Sequence, residues 1–312
     1  MYKGKRYNAL VVCLLLVISI VVGFSAGMSK NNSVNTDSGW EEEIPDSLLP
    51  DENETEEQTP VSGVPGSDAS AYERLSFAMD KLTNGEGYTS YLNQSLDASG
   101  NKQYMTYKKY RGGNLDLTEE WYKFDAVVSF LQSLGKHEFR SYYSDGTNMK
   151  YKLIENPNNF NYDAKTYNYT ADYILSEFTA QHYENVYFRT KLNNFYTTIN
   201  ENTCTVERYD KKTDPDNYVI RVNVNSSKLD PQYISTFTSN GASNLNIKTE
   251  MITFKINKKT GYFASYEKYE VFSASQSGLT LEFTVNLKET FLTMNRSAES
   301  TIRGIVSQSF GV

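Results

Sequence analysis

Between Leu279 and Lys288 the chain alternates strictly: Leu279, Leu281, Phe283, Val285 and Leu287 against Thr280, Glu282, Thr284, Asn286 and Lys288. That is the period of a β-strand, whose successive side chains point to opposite faces. One face is therefore buried and the other wet, as in an antiparallel sheet packed on one side. Ile247–Asn257 and Tyr262–Ser273 read as two further strands of the same meander. Lys258-Lys259-Thr260-Gly261 joins them as a tight turn, with Gly261 supplying a left-handed backbone. Upstream, Thr203–Asp210 and Tyr218–Asn225 read as strands about a charged turn.

The first half repeats the theme. Tyr88–Leu96 and Lys102–Arg111 flank Asp97-Ala-Ser-Gly-Asn101, a hairpin signal. Leu115–Asp125 follows as a third strand, and His137–Tyr143 and Met149–Ile154 flank a second hairpin turn at Asp145-Gly146-Thr147-Asn148. Phe160–Tyr169 is expected to be a further strand. Helices are expected in four places. Ser70-Ala-Tyr-Glu73 is a capping box, after which Tyr72, Leu75, Met79 and Leu82 share one face until Asn84-Gly85. Shorter helices are expected over 126–134, over Ala171–His182 behind Thr170, and over 230–238; 183–199 leans to helix on the spacing of Phe188, Leu192, Phe195 and Ile199. After Asn295 the chain is Ser-rich and is expected to fray. The expected class is α+β: a curved antiparallel sheet, half-barrel-like, with helices packed on one face and an N-terminal transmembrane helix before it.

Charge sorts the chain into segments. Residues 29–68 hold eleven of the 38 acids against Lys30, four prolines and few apolar residues, which reads as an extended acidic linker. Residues 1–28 carry only Lys3, Lys5 and Arg6. The remainder is balanced, with 27 acids and 27 bases, so it has no basic footprint for phosphates and nucleic acid is set aside as a partner. The 25 Tyr and 16 Phe against 2 Trp and 2 His suit half-buried pleated surfaces.

The N-terminus reads as an address. Tyr2-Lys3-Gly4-Lys5-Arg6 is positive, and Ala9 to Phe24 is apolar. Leu10–Met28 is uncharged and near the length of a membrane span. The positive flank stays cytoplasmic, leaving the domain extracytoplasmic on a single-pass anchor. Cleavage near Ser25-Ala26-Gly27 is the alternative; Phe24 sits poorly for it, and Val12 before Cys13 argues against lipidation. The organisation is thus 1–28 anchor, 29–68 linker, 69–295 β-rich domain and 296–312 tail.

Tyr142-Tyr-Ser-Asp-Gly-Thr-Asn-Met149, Phe160-Asn-Tyr162 and Phe254-Lys-Ile-Asn-Lys-Lys-Thr-Gly261 with its two following strands give this order of elements a familiar look. The domain resembles the LolA/LppX-like extracytoplasmic lipoprotein-carrier and lipid-binding proteins. That resemblance implies a strongly curved sheet around helices, with an acyl chain or lipoprotein held between them. The acidic stalk and anchor depart from a freely shuttling carrier and point to a tethered binder or sensor.

Catalytic patterns are weak. His137 stands at a strand start beside Lys136 and Glu138, and His182 at an expected helix end. No serine lies in Gly-x-Ser-x-Gly, and no Cys/His set has zinc spacing. Glu119 and Glu120 are adjacent on a strand and so face opposite sides. Asp214-Pro-Asp216-Asn217 lacks the later ligands of a calcium loop and reads as a turn. Cys204, in Thr203-Cys204-Thr205-Val206, reads as a small buried hydrophobe. The expectation is a non-enzyme without cofactor or metal, binding a lipid or lipoprotein through Leu75, Met79, Leu281, Phe283 and Val285. The alternative is a surface scaffold that meets protein or cell-wall glycan through exposed tyrosines.

Overall fold

A computed structural model of the chain describes residues 62–98, 101–125, 137–146, 148–155, 173–179, 199–229, 231, 243–276 and 279–310. The expected anchor, most of the linker, the helix at 126–134, all but residue 231 of the helix at 230–238, the strand at 160–169 and the segment 183–198 lie outside the described residues. No helix among the described residues is long and apolar enough to cross a membrane.

Eleven strands form one open, curved, antiparallel sheet. In chain order they are β1 (Gly87–Ala98), β2 (Asn101–Gly112), β3 (Leu115–Asp125), β4 (His137–Ser144), β5 (Asn148–Glu155), β6 (Tyr173–Thr179), β7 (Cys204–Asp210), β8 (Asn217–Val224), β9 (Ser243–Asn257), β10 (Phe263–Gln276) and β11 (Leu279–Met294). Two meanders, β1 to β6 and β7 to β11, meet where β1 pairs with β11. Every sequence-expected strand that falls within the described residues is present. The joining turn of β9 and β10 takes the expected form: Gly261 has φ +71°, and a Cβ there would meet the Phe77 ring at 2.8 Å.

The helix α1 (Ala71–Asn84) forms where the capping box places it. Ser70 Oγ accepts from the Glu73 amide at 3.2 Å, and the Ser70 amide donates to Glu73 at 2.6 Å. Ala71, Arg74, Leu75, Ala78 and Leu82 make one buried stripe, which lies across β1 and β9. The end of the expected linker is tied down from this helix. The buried Arg74 guanidinium donates to the carbonyls of Pro65, Gly66 and Ser67 and to the Tyr209 hydroxyl, and lies 3.7 Å over the Tyr218 ring. A buried cation held by four hydrogen bonds with a π-face below it is a fixed point rather than part of a solvated stalk.

Three expectations are corrected. The expected helix over 171–182 gives way at 173–179 to β6, paired with β5 from Ile154↔Tyr173 to Asn148↔Thr179. The free edge of β5 offers that segment a ladder, which outweighs a lone N-cap signal. The tail does not fray: α2 (Glu299–Phe310) starts behind Ser297 and buries Ile302, Val306 and Phe310 against Tyr110, Leu115 and Leu117. Lys152 Nζ donates to the Ser309 carbonyl at 2.7 Å, satisfying a helix-end acceptor. Ile302→Ala should therefore cost ~2–5 kcal/mol, read as a lower urea midpoint at unchanged slope. An unchanged midpoint would mean that this turn contributes no packing.

The third correction concerns the faces. Directly opposed residues of an antiparallel pair share a face. Tyr110↔Leu117 lies under α2, whereas Tyr107↔Leu92 and Met105↔Gln94, of opposite parity on β1 and β2, lie on the α1 side. The two helices therefore cover opposite faces of the sheet, not one face. On the polar side of β11, Asn286 and Lys288 are exposed, but Thr284 is buried.

Candidate ligand-binding face

The α1 face gathers all five apolar residues singled out from the sequence. Leu75, Phe283 and Val285 are buried in the main core, and Met79 and Leu281 are half-buried against it. Phe283 stacks on its cross-strand partner Phe272 at 5.0 Å, and Val285 lies opposite Leu96 of β1. Cys204 belongs to the same core, where burial pushes its thiol up, away from the reactive thiolate.

Between these apolar residues run ionisable groups that the sequence reading did not select. Register places them on the same face. The row Leu92–Glu289–Tyr266–Phe254–Ile220 crosses β1, β11, β10, β9 and β8. The next is Gln94–Leu287–Lys268–Ile252–Val222, and the next is Leu96–Val285–Glu270–Glu250. Glu289 accepts from Ser90 Oγ at 2.6 Å, from Lys109 Nζ at 3.2 Å and from the Tyr266 hydroxyl. Further along, Glu120 accepts from Tyr107, Tyr142 and Arg140 at 3.3–3.5 Å. These two carboxylates are held by several donors each, as a buried charge requires.

The third group is different. Lys268 Nζ stands 3.1 Å from Glu270 Oε2, both side chains fully buried. Glu250 lies directly across from Glu270, and neither of its carboxyl oxygens has a hydrogen-bond partner. Burial, then the charge of Glu270, drives the Glu250 carboxyl well above the ordinary carboxylate range; Lys268 pulls the other way. The amide of Gln94, also buried, has neither Nε2 nor Oε1 partnered. Most buried polar side-chain atoms in folded proteins are hydrogen-bonded, so two unsatisfied groups on one face call for a cause.

The signal that locates these residues was in the sequence. Glu250 shares parity with Ile252, Phe254 and Ile256; Lys268 and Glu270 share it with Tyr266 and Phe272; Glu289 continues Phe283, Val285 and Leu287. A charge at an apolar position of a strand is the anomaly. Glu119 and Glu120 do part to opposite sides: Glu119 pairs with Lys108 and Ser141, in register with the Leu117 face under α2, and Glu120 with Tyr107. Asp214 closes the β7–β8 turn, accepting from the amides of Asp216 and Asn217 at 3.1 and 3.0 Å. Among the described residues, Tyr88, Tyr91, Tyr107, Tyr110, Tyr142, Tyr262 and Tyr266 are buried, and Tyr72, Tyr104, Tyr143, Tyr209, Tyr218 and Tyr269 are half-buried. His182 lies outside the described residues. Among the described residues, no three His, Cys, Asp or Glu side chains stand together as metal ligands.

No family model matches the chain, and no curated protein matches it. Among solved structures it is similar to a β-barrel-like protein of the domain of unknown function DUF1849 from Brucella abortus, at 8% identity and a TM-score of 0.20, over 66% of this chain and 97% of that one. It is similar also to a DUF1329 family protein from Desulfovibrio piger, at 8% identity and a TM-score of 0.23, over 69% and 89%.

Proposed function

We propose that the domain is a non-catalytic binding or sensing module, tethered at the cell membrane by the N-terminal segment and presented outside it. Its ligand is an amphiphile, a lipid or a lipoprotein acyl chain, held on the α1 face of the sheet. One observation supports the reading: Leu281, Phe283, Val285 and Leu96 adjoin two buried polar side chains that find no partner within the chain. An apolar lane beside unsatisfied polar atoms matches a molecule with an apolar body and a polar end. Burial of the body would contribute roughly 25 cal/mol per Å² before ordering costs. The linker, fixed by Arg74 at Pro65–Ser67, sets where the domain leaves its tether.

The test is native mass spectrometry of the full chain released from membranes, followed by organic extraction. The expected result is a stoichiometric adduct that extracts as a lipid. A clean apo mass that stays clean after incubation with membrane lipids would overturn the reading.

A further inference from the structure

We propose that the polar end of the ligand is a protonated amine, received by Glu250 on β9. This rests on the amphiphile reading above and names the chemistry of its head group. The argument is one of charge and hydrogen-bond supply. Among the described residues, the α1 face around Lys268 carries two carboxyl groups, Glu250 and Glu270, and one ammonium. Lys268 is committed to Glu270 at 3.1 Å. Glu250 is left with four lone-pair sites and no donor, although it is only 2% exposed. The chain's own answer is to keep that carboxyl protonated, which leaves its hydrogen-bonding capacity unused.

An ammonium head supplies what is missing. It gives up to three N–H donors, lets Glu250 ionise, and brings the cluster to two cations against two carboxylates. Glu250 stands on the β9 side of the Lys268–Glu270 pair, whereas Gln94 stands on β1 with Leu287 of β11 between it and Lys268. At roughly 4.8 Å per strand the Gln94 amide meets a polar atom further along the ligand rather than the same ammonium. A phosphate or carboxylate head is disfavoured, because it would face Glu250 and Glu270 together. A hydroxyl head fills hydrogen bonds but leaves the charge count unchanged. The apolar body then runs along Val285, Leu96 and the Phe272–Phe283 stack, adjacent on the same face.

The test uses the full chain in a nanodisc of zwitterionic lipid, with hexylamine, hexanol and hexanoate as water-soluble probes at pH 7. The readout is the concentration-dependent rise in melting temperature, since a ligand that binds only the folded state stabilises it by mass action. Hexylamine is expected to act at about tenfold lower concentration than hexanol, the worth of one charge-assisted hydrogen bond, and hexanoate not to act. Glu250→Gln and, independently, Glu250→Met should erase the advantage of the amine over hexanol. Circular dichroism confirms that each variant is folded, and either one alone suffices. Equal responses to hexylamine and hexanol would overturn the amine inference and leave the amphiphile reading standing. An amine advantage that survives both substitutions would also overturn it, by placing the amine elsewhere. No response to any of the three probes would overturn both.

Discussion

Lys268→Met is expected to destabilise the domain by ~3–5 kcal/mol at pH 7, the cost of leaving buried carboxylates without their cation. Methionine keeps the length and apolar stem of lysine, so the loss reports charge rather than a cavity. Lys268 and Glu270 are both fully buried at 3.1 Å, with the uncompensated Glu250 directly across from Glu270. Removing the lysine leaves the Glu270 carboxylate in a dry interior without the cation that stands 3.1 Å from it. The deficit should therefore be largest at neutral pH and shrink as the pH falls through the carboxylate range. Urea unfolding of both proteins between pH 4 and pH 8 measures this directly. A deficit that does not vary with pH would mean that the buried pair contributes through packing alone.

The second large effect has the opposite sign. Glu250→Met should stabilise the ligand-free chain by ~1–3 kcal/mol at pH 7, because it removes an unsatisfied buried acid and leaves Lys268 and Glu270 balanced. The pH dependence follows from the raised Glu250 carboxyl. Its ordinary value is 4.5, and burial with the Glu270 charge lifts it in the folded chain. Between those two values the folded state binds more protons than the unfolded state. Stability then falls as pH rises, by up to about 1.4 kcal/mol per unit for one group. Below the ordinary value both states are protonated and the contribution levels off. Glu250→Met should abolish that slope, so the variant gains most at neutral pH and less near pH 4. A residue whose removal strengthens the empty fold and weakens ligand binding is retained for function rather than for stability. A Glu250→Met chain that is less stable than the original at pH 7 would contradict this reading.

The parts legible in the sequence were those where local chemistry and tertiary demand agree. The β11 alternation and the Ser70–Glu73 box each specify an element without outside help, and both stand where they were expected. The tail was misread because Ser297, Ser300, Ser307 and Ser309 mask the spacing of Ala298, Ile302, Val306 and Phe310, whose apolar stripe is stabilised by Tyr110 and Leu117 far away in the chain. The segment at 173–179 was misread because the open edge of β5 is a fact of topology. The apolar half of the candidate site was readable as strand parity. Its polar half carried the same parity signal but was not picked out, because alternation was read through apolar residues alone; the register of four neighbouring strands is what aligns Gln94, Lys268, Glu270 and Glu250 on one face.

The most direct test of the central claim is to find where an amphiphile sits. The full chain in a nanodisc would be labelled with an alkyl amine carrying a photoreactive diazirine in its tail, digested, and mapped by mass spectrometry. The account predicts label on the α1 face, on Leu281, Phe283, Val285, Leu96, Leu75 or Met79, lost on competition with excess unlabelled hexylamine. Label confined to Thr280, Asn286 and Lys288 of the opposite face, or label that competitor does not displace, would contradict it.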